Sequence, residues 1–203
     1  MKKIVFGLLT TLSVITYSCS DNASNKQAAA QTPAPEAIED TAQVKVVKAS
    51  FTNVDAGVAT YMKKLTDNYL QIKNALTAGK ATEAGDAAKN LAEAMKGFDK
   101  SLLSADQKKA YDQNEEDLKE HAEHITKSTG DIEHQREHFS MMSEDIYSLV
   151  KAFGGGKILY HDHCPMAKNG KGAMWLSETK EIKNPYFGEK MIACGDVEEE
   201  IQN

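Results

Sequence analysis

Apolar residues recur at alternating spacings of three and four from Val54 onward, which is the period of a helix with one buried face. The first stripe is predicted to end at Gly79, because glycine commonly terminates a helix. Its apolar positions are Val58, Met62, Leu65, Tyr69, Ile72 and Leu76. A second stripe extends to residue 102. Its apolar positions are Ala84, Ala88, Leu91, Met95, Phe98 and Leu102.

Two further helices are predicted from their starting residues. Ser104 and Gln107 have the spacing of a capping box and open the third helix. Asp131 is the expected N-cap of the fourth helix, which should end at the glycine run 154–156. The apolar positions are Tyr111, Leu118 and Ile125 on the third helix, then Ile132, Phe139, Met142, Ile146, Leu149 and Phe153 on the fourth.

The pattern changes after the glycine run. Residues 157–160 and 173–176 are typical of short strands, and the glycine-rich turn 167–172 between them predicts a hairpin. A segment this small cannot fold alone, so it should pack on the helices and bury Trp175, the single tryptophan. The predicted fold is therefore mainly α: an antiparallel four-helix bundle (51–156) with a small C-terminal β-containing cap (157–203), residues 51–197 forming one domain.

The N-terminus has the composition of an export signal. Lys2 and Lys3 precede a short apolar run, and small residues lead to Cys19, as in a bacterial lipoprotein signal over residues 1–18. Cys19 is the predicted lipidation site. Residues 19–50 are rich in small and polar residues and predict a disordered tether, with the apolar run at 44–47 treated as part of this linker.

The net charge of the chain argues against a nucleic-acid-binding function. The chain has 24 Lys and Arg against 30 Asp and Glu, and removal of Lys2 and Lys3 with the signal leaves a net charge of −8. No basic patch is available to bind nucleic acid. The expected location is the bacterial cell envelope, with a lipid anchor in the outer membrane rather than the inner membrane and the domain in the periplasm.

The cap carries the densest group of possible metal ligands. Cys164 and Met166 are two apart, and Met191 and Cys194 are three apart, so each pair can share a face. Two thiolates and two thioethers favour Cu(I) or Ag(I), and His161 and His163 could add imidazole ligands. The alternative is a Cys164–Cys194 disulfide, which is expected in an oxidising compartment.

Four histidines form a second candidate site. His121 and His124 on the third helix should lie level with His138 and His134 on the fourth, across an antiparallel pairing. Four imidazoles at one seam could bind Zn(II) or Cu(II). Because glutamates lie between them in the sequence, an ordinary solvated face is the preferred interpretation and the metal site is secondary.

The sequence lacks the motifs of common enzymes: it has no Gly-x-Ser-x-Gly, no His-Glu-x-x-His and no phosphate loop. An enzyme is therefore not expected. A thiol-based redox activity at Cys164 is the remaining enzymatic alternative.

The C-terminal half resembles an uncharacterised domain family of periplasmic lipoproteins that also occurs at the C-terminal end of Cus-type copper and silver efflux adaptors. The matching residues are Gln135, Arg136, Phe139, Ser143, Tyr160, Cys164 to Ala167, Gly172, Ala173, Trp175 to Ser177, Asn184 to Gly188, Met191, Cys194 and Gly195. The resemblance implies metal handling in the cell envelope and a heavy-metal efflux complex as partner. The chain lacks the β-rich adaptor modules, so it would be a stand-alone form of the accessory domain.

The leading hypothesis is an exported lipoprotein accessory that binds copper or silver and delivers it to an efflux system. The alternative is a structural or protein-interaction module, without metal, that is stapled by the Cys164–Cys194 disulfide.

Replacing Cys19 with serine tests the anchor. We expect Cys19→Ser to move the protein into the soluble fraction, because the lipid on this side chain would be its only membrane contact. Fractionation of cells, with Ser24→Ala as the control, measures the effect. Continued membrane association of the unlipidated protein would contradict the prediction.

Overall fold

Four long helices carry the apolar stripes in a computed structural model whose described residues are 44–203. The helices are α1 (Ala56–Thr77), α2 (Ala81–Lys96), α3 (Ala105–Lys127) and α4 (Ile132–Phe153). Cys19, the predicted signal 1–18 and residues 19–43 of the predicted tether lie outside the described residues.

The predicted helix ends are confirmed at three places. The side chains of Ser104 and Gln107 form the capping box of α3. Asp131 Oδ1 accepts a hydrogen bond of 3.1 Å from the backbone N–H of His134 at the start of α4. Gly79 follows the end of α1 with a φ of +69°, a conformation that favours glycine.

The second helix is shorter than its stripe predicted. Helix α2 ends at Lys96, and Lys100–Leu102 form a separate 3₁₀ turn. The turn has its own cap, because Asp99 accepts a hydrogen bond from the backbone N–H of Ser101. Phe98 then stacks against Tyr61, with ring centroids 3.8 Å apart, while Leu102 remains 42% exposed.

A small four-stranded sheet completes the fold. Its strands are β1 (Lys45–Lys48), β2 (Leu159–Cys164), β3 (Ala173–Ser177) and β4 (Asp196–Gln202), in the order β1-β4-β2-β3. The predicted hairpin is confirmed as the antiparallel pair β2–β3, although β2 continues beyond the predicted strand to Cys164, which lies opposite Ala173.

The sheet corrects the prediction for two segments, the run at 44–47 and the C-terminal residues of β4. The run treated as linker forms β1, which pairs parallel to β4, and the Lys45 ammonium binds Glu199 at 2.8 Å. Strand β4 was not predicted, because its Glu-rich sequence resembles a solvated segment. In the structure Glu199 and Ile201 are both buried, as period-two alternation allows.

The described residues are thus mainly helical, with a small sheet. Helix α1 packs against α2 and α4, α3 packs against α2 and α4, and β3 lies on α4 and α1. Within residues 44–203, no helix combines the length and the apolar character that crossing a membrane requires.

The sheet and the helices meet at Trp175. Its side chain is fully buried, as predicted, and its ring packs at 5.9 Å against Tyr186, which in turn lies 5.9 Å from the ring of Phe139 on α4. Tyr69 on α1 accepts a hydrogen bond of 3.0 Å from the backbone N–H of Leu176, the next residue of β3. The cap is therefore fixed to the helices by both apolar burial and a polar contact.

Truncation of Trp175 should be severely destabilising. We expect Trp175→Ala to lower the free energy of unfolding by about 3–5 kcal/mol, because it removes a large buried side chain and leaves a cavity. Urea denaturation measures the change. Val46→Ala, at a position 56% exposed on β1, is the control and should change stability by no more than about 0.5 kcal/mol.

Candidate functional site

The two cap cysteines come together in the structure. Cys164 is the last residue of β2 and is fully buried, whereas Cys194 precedes β4 and is partly exposed. Their sulfurs lie 2.8 Å apart as free thiols. This is the pairing on which both the soft-metal and the disulfide hypotheses depend.

A buried asparagine positions Cys194. Asn184 Nδ2 donates to the carbonyl oxygen of Cys194 at 2.7 Å, and Asn184 Oδ1 accepts from the backbone N–H of Tyr186 at 2.8 Å. The sequence distinguishes this Asn-Pro-Tyr segment only through the family resemblance, which assigns it no role. Gly195 also matters, because at its φ of +139° a Cβ would lie 2.9 Å from the backbone oxygen of His163.

The thiol of Cys194 favours its protonated form. The hydrogen bond between Cys194 and Cys164, together with burial, raises the pKa of Cys194 to about 11. A metal ion that binds thiolates here must therefore displace protons.

The two methionines differ in their suitability as ligands. Met166 was predicted to point with Cys164, but β2 ends at Cys164 and the Met166 side chain is 55% exposed. Met191 is partly buried and shares a tight turn with Cys194, whose backbone N–H donates to the Met191 carbonyl at 3.1 Å.

The cap histidines do not join the sulfurs. His161 and His163 alternate with Cys164 along β2 and therefore lie on the opposite face of the strand. Both approach one carboxylate: Glu198 is 3.3 Å from His161 Nδ1 and 3.5 Å from His163 Nδ1. Glu198 is the extra residue at an irregularity in the pairing of β2 with β4, a feature that the sequence did not indicate.

A buried carboxyl group shares the face of Cys164. Asp162 is fully buried, and among the described residues neither of its oxygens forms a hydrogen bond of normal geometry, although the Trp175 side chain interacts with it and lowers its pKa. Burial raises the pKa of Asp162 to about 8, and the positive charge of buried Lys73 offsets only part of this effect. Lys73 itself pairs with Glu178 at 3.2 Å.

The four helical histidines also come together. His121 Nδ1 and His138 Nδ1 are 3.2 Å apart, and the rings of His124 and His138 stack at 4.1 Å. One ring nitrogen from each of His124, His134 and His138 lies within 4.8 Å of the other two. The predicted juxtaposition is therefore confirmed.

The expectation of a fully solvated face is wrong for half of this cluster. His138 is only 9% exposed, and burial together with the neighbouring histidines lowers its pKa to about 4. Burial also lowers the pKa of His121. Both rings are consequently neutral at pH 7 and have a lone pair available for a metal ion.

Asp145 is the residue of this region that sequence reasoning missed. It lies two helical turns after His138, a spacing that could have revealed it, and its Oδ2 is 4.0 Å from His121 Nε2. That oxygen is buried and has no hydrogen-bond partner among residues 44–203. Burial raises the pKa of Asp145 to about 7.

Comparison with protein families relates the helices to one family. Residues 65–157 match the model of a family described as a protein of unknown function (DUF3347). The helical part of this chain is similar to an uncharacterised domain family. The matched range covers slightly less than half of the chain and contains all four helical histidines, but it ends before Cys164 and Cys194.

The other two comparisons return nothing. No curated protein matches the chain, and no solved structure matches it.

The pH dependence of stability should report on Asp162. The free carboxyl ionises near pH 4, whereas the folded one keeps its proton to about pH 8, so the folded chain holds one more proton between these values. This contribution to stability is complete below about pH 4 and is lost as the pH rises to 8, by up to about 1.4 kcal/mol per pH unit.

Asp162→Asn should remove this component, because an amide does not titrate. We expect the variant to gain stability relative to the parent as the pH is raised from 5 to 8, measured by urea denaturation. Asp86→Asn, at an exposed position of α2, is the control for loss of a charge. A difference between variant and parent that is constant with pH would contradict the prediction.

Proposed function

We propose that the protein is a lipid-anchored accessory of the cell envelope that binds Cu(I) or Ag(I) through Cys164 and Cys194. The observation that carries the proposal is the 2.8 Å separation of the two sulfurs. Thiolates are the ligands that select these soft ions over Mg²⁺ or Ca²⁺. One sulfur is buried and the other is partly exposed, so an ion can enter from the side of Cys194.

The sulfur separation is compatible with capture of an ion. Two thiolates that each lie about 2.3 Å from one tetrahedral ion are about 3.7 Å apart, whereas a disulfide bond is about 2.05 Å long. The 2.8 Å separation lies between these values, so a small side-chain rotation leads to either state.

The proposed ligand set is narrower than the sequence suggested. Its centre is the thiol pair, and Met191 is the candidate third donor because it shares the turn of Cys194. Met166 is too exposed to be a fixed ligand, and the imidazoles of His161 and His163 belong to the other face of β2.

The disulfide-stapled module is the second candidate function. It is favoured by the complete burial of Cys164 and by the small size of the cap. A disulfide between Cys164 and Cys194, which are 30 positions apart, would stabilise the domain by roughly 3–4 kcal/mol. In this case the cap would serve as a rigid surface for protein interactions.

The helices would serve as the scaffold in either case. We propose that α1 to α4 form an antiparallel four-helix bundle, since consecutive helices are joined by short connections and pack against each other. Attachment through Cys19 would hold this scaffold in the periplasm, with the anchor in the outer membrane. A heavy-metal efflux complex would be the recipient of the ion.

Competition titration against a chromophoric Cu(I) chelator tests the proposal on the reduced protein. We expect one Cu(I) per chain. Cys194→Ser should weaken binding by more than the 10–100-fold that is typical of changes outside the ligand set. Met191→Leu should also weaken binding, while the matched control Met166→Leu should leave it unchanged, because that side chain is mostly in solvent.

The same variants separate the two candidate functions. If the protein is a stapled module, the reduced chain does not compete for Cu(I). Under oxidising conditions Cys194→Ser then lowers the free energy of unfolding by roughly 2–5 kcal/mol. That pair of results would overturn the metal proposal and support the structural one.

A further inference from the structure

The helical histidines form a cluster that is separate from the cap thiols. We propose that His124, His134 and His138 are the ligands of an exchangeable divalent ion, Zn(II) or Cu(II), at the seam between α3 and α4. Imidazole nitrogen suits these ions, whereas the cap offers sulfur. The inference therefore adds a second metal site of different chemistry and does not rest on the function proposed for the cap.

The spacing of the ring nitrogens is close to what one ion requires. Two nitrogens bound at about 2.05 Å to a tetrahedral ion lie about 3.3 Å apart. One nitrogen from each of the three rings already lies within 4.8 Å of the others. The side chains of His124 and His134 are 45% and 40% exposed, so they can rotate inward without repacking the core.

The outer nitrogens of these rings already have carboxylate partners. His134 Nδ1 is 3.5 Å from Glu137, and His124 Nε2 is 3.8 Å from Glu120. Histidines that bind a metal usually donate their second N–H to a carboxylate, which orients the ring and fixes the tautomer. In both residues the remaining nitrogen is the one free to bind an ion.

Two further residues, His121 and Asp145, lie in line behind His138. Its Nδ1 is within hydrogen-bond distance of His121 Nδ1, at 3.2 Å, and His121 Nε2 faces the unpartnered Asp145 Oδ2 at 4.0 Å. We assign His121 and Asp145 as positioning residues that direct His138 Nε2 to the ion. The burial of His121 and Asp145, with side chains 13% and 15% exposed, keeps this chain away from competing water.

The backbone beneath the cluster is rigid. Gln135 is fully buried, and its amide nitrogen Nε2 donates at 2.9 Å to the carbonyl oxygens of both Ile125 on α3 and Ala81 at the start of α2. Asp131 caps α4 at the backbone of His134 itself. A site on such a fixed pair of helices is pre-organised to bind an ion.

Three imidazoles leave a fourth coordination position open. Structural zinc sites in proteins are usually closed by four protein ligands, whereas a site with three ligands keeps one position for water or another molecule. The exposure of His124 and His134 places this position towards solvent. The arrangement fits an ion that is loaded and released.

Isothermal titration with Zn(II) on the full protein tests the assignment. We expect one Zn(II) per chain in addition to any bound at the cap, and the same binding in Cys194→Ser. His134→Gln removes an exposed ligand and should weaken binding strongly without unfolding the chain. The matched control is His163→Gln, a histidine of similar exposure beside Glu198, which should leave the affinity unchanged.

The positioning residues need a separate readout. Asp145→Asn and His121→Gln should each weaken Zn(II) binding by roughly 10–100-fold, less than His134→Gln does, and Asp145→Glu should recover part of the loss. Nitrogen NMR of the imidazoles should show Zn(II)-dependent shifts at His124, His134 and His138 in the parent. In Asp145→Asn the shift at His138 should be altered, which a merely structural role for Asp145 would not predict.

Three results would overturn the proposal. These are the absence of Zn(II) binding by Cys194→Ser, unchanged affinity in His134→Gln, and equal losses in His134→Gln and His163→Gln. If His121→Gln is as severe as His134→Gln, His121 is a ligand and its assignment as a positioning residue is wrong. Cu(I) binding by His134→Gln should equal that of the parent, which separates this test from that of the cap.

Discussion

The junction of the helices and the sheet depends on one buried hydroxyl group, that of Tyr69. It accepts from the backbone N–H of Leu176 and lies 2.8 Å from Ser143 Oγ, which itself donates to the carbonyl of Phe139. This chain of hydrogen bonds satisfies polar groups of α1, α4 and β3 in the buried interior. Because unpaired buried polar groups are costly, it fixes the position of the cap on the helices.

Both candidate metal sites follow from that arrangement. The position of β3 fixes β2 by strand pairing, and β2 ends at the buried thiol of Cys164. In the helical part, the pairing of α3 with α4 sets His121 against His138. Sulfur donors and nitrogen donors therefore occupy different structural elements, which allows each to take the ions that suit its chemistry.

The family match and the structure divide the chain in a similar place. The match covers the larger part of α1 and all of α2 to α4 and stops just before β2, so it includes the histidine cluster and leaves the cap outside. The cap nevertheless shares its interior with the helices through Trp175 and Tyr69. Any function of the thiol pair is consequently coupled to the stability of the helical part.

Local signals were sufficient for the helices, three of their ends and the β2–β3 hairpin, because caps, glycine stops and apolar periods act within a few residues. They also indicated that Cys164 could meet Cys194 and that the four histidines share a seam. They did not predict β1 and β4, since a short strand rich in lysine or glutamate is stabilised by its partner and not by its own sequence.

The sequence by itself determined the helical periodicity, the inventory of possible ligands and their order along the chain. Only the tertiary structure decided which ligands meet. Strand alternation turned His161 and His163 away from Cys164, and the end of β2 left Met166 in solvent. Burial of His138 and Asp145 likewise depends on the packing of α3 on α4, because desolvation is a property of the surroundings that distant segments create.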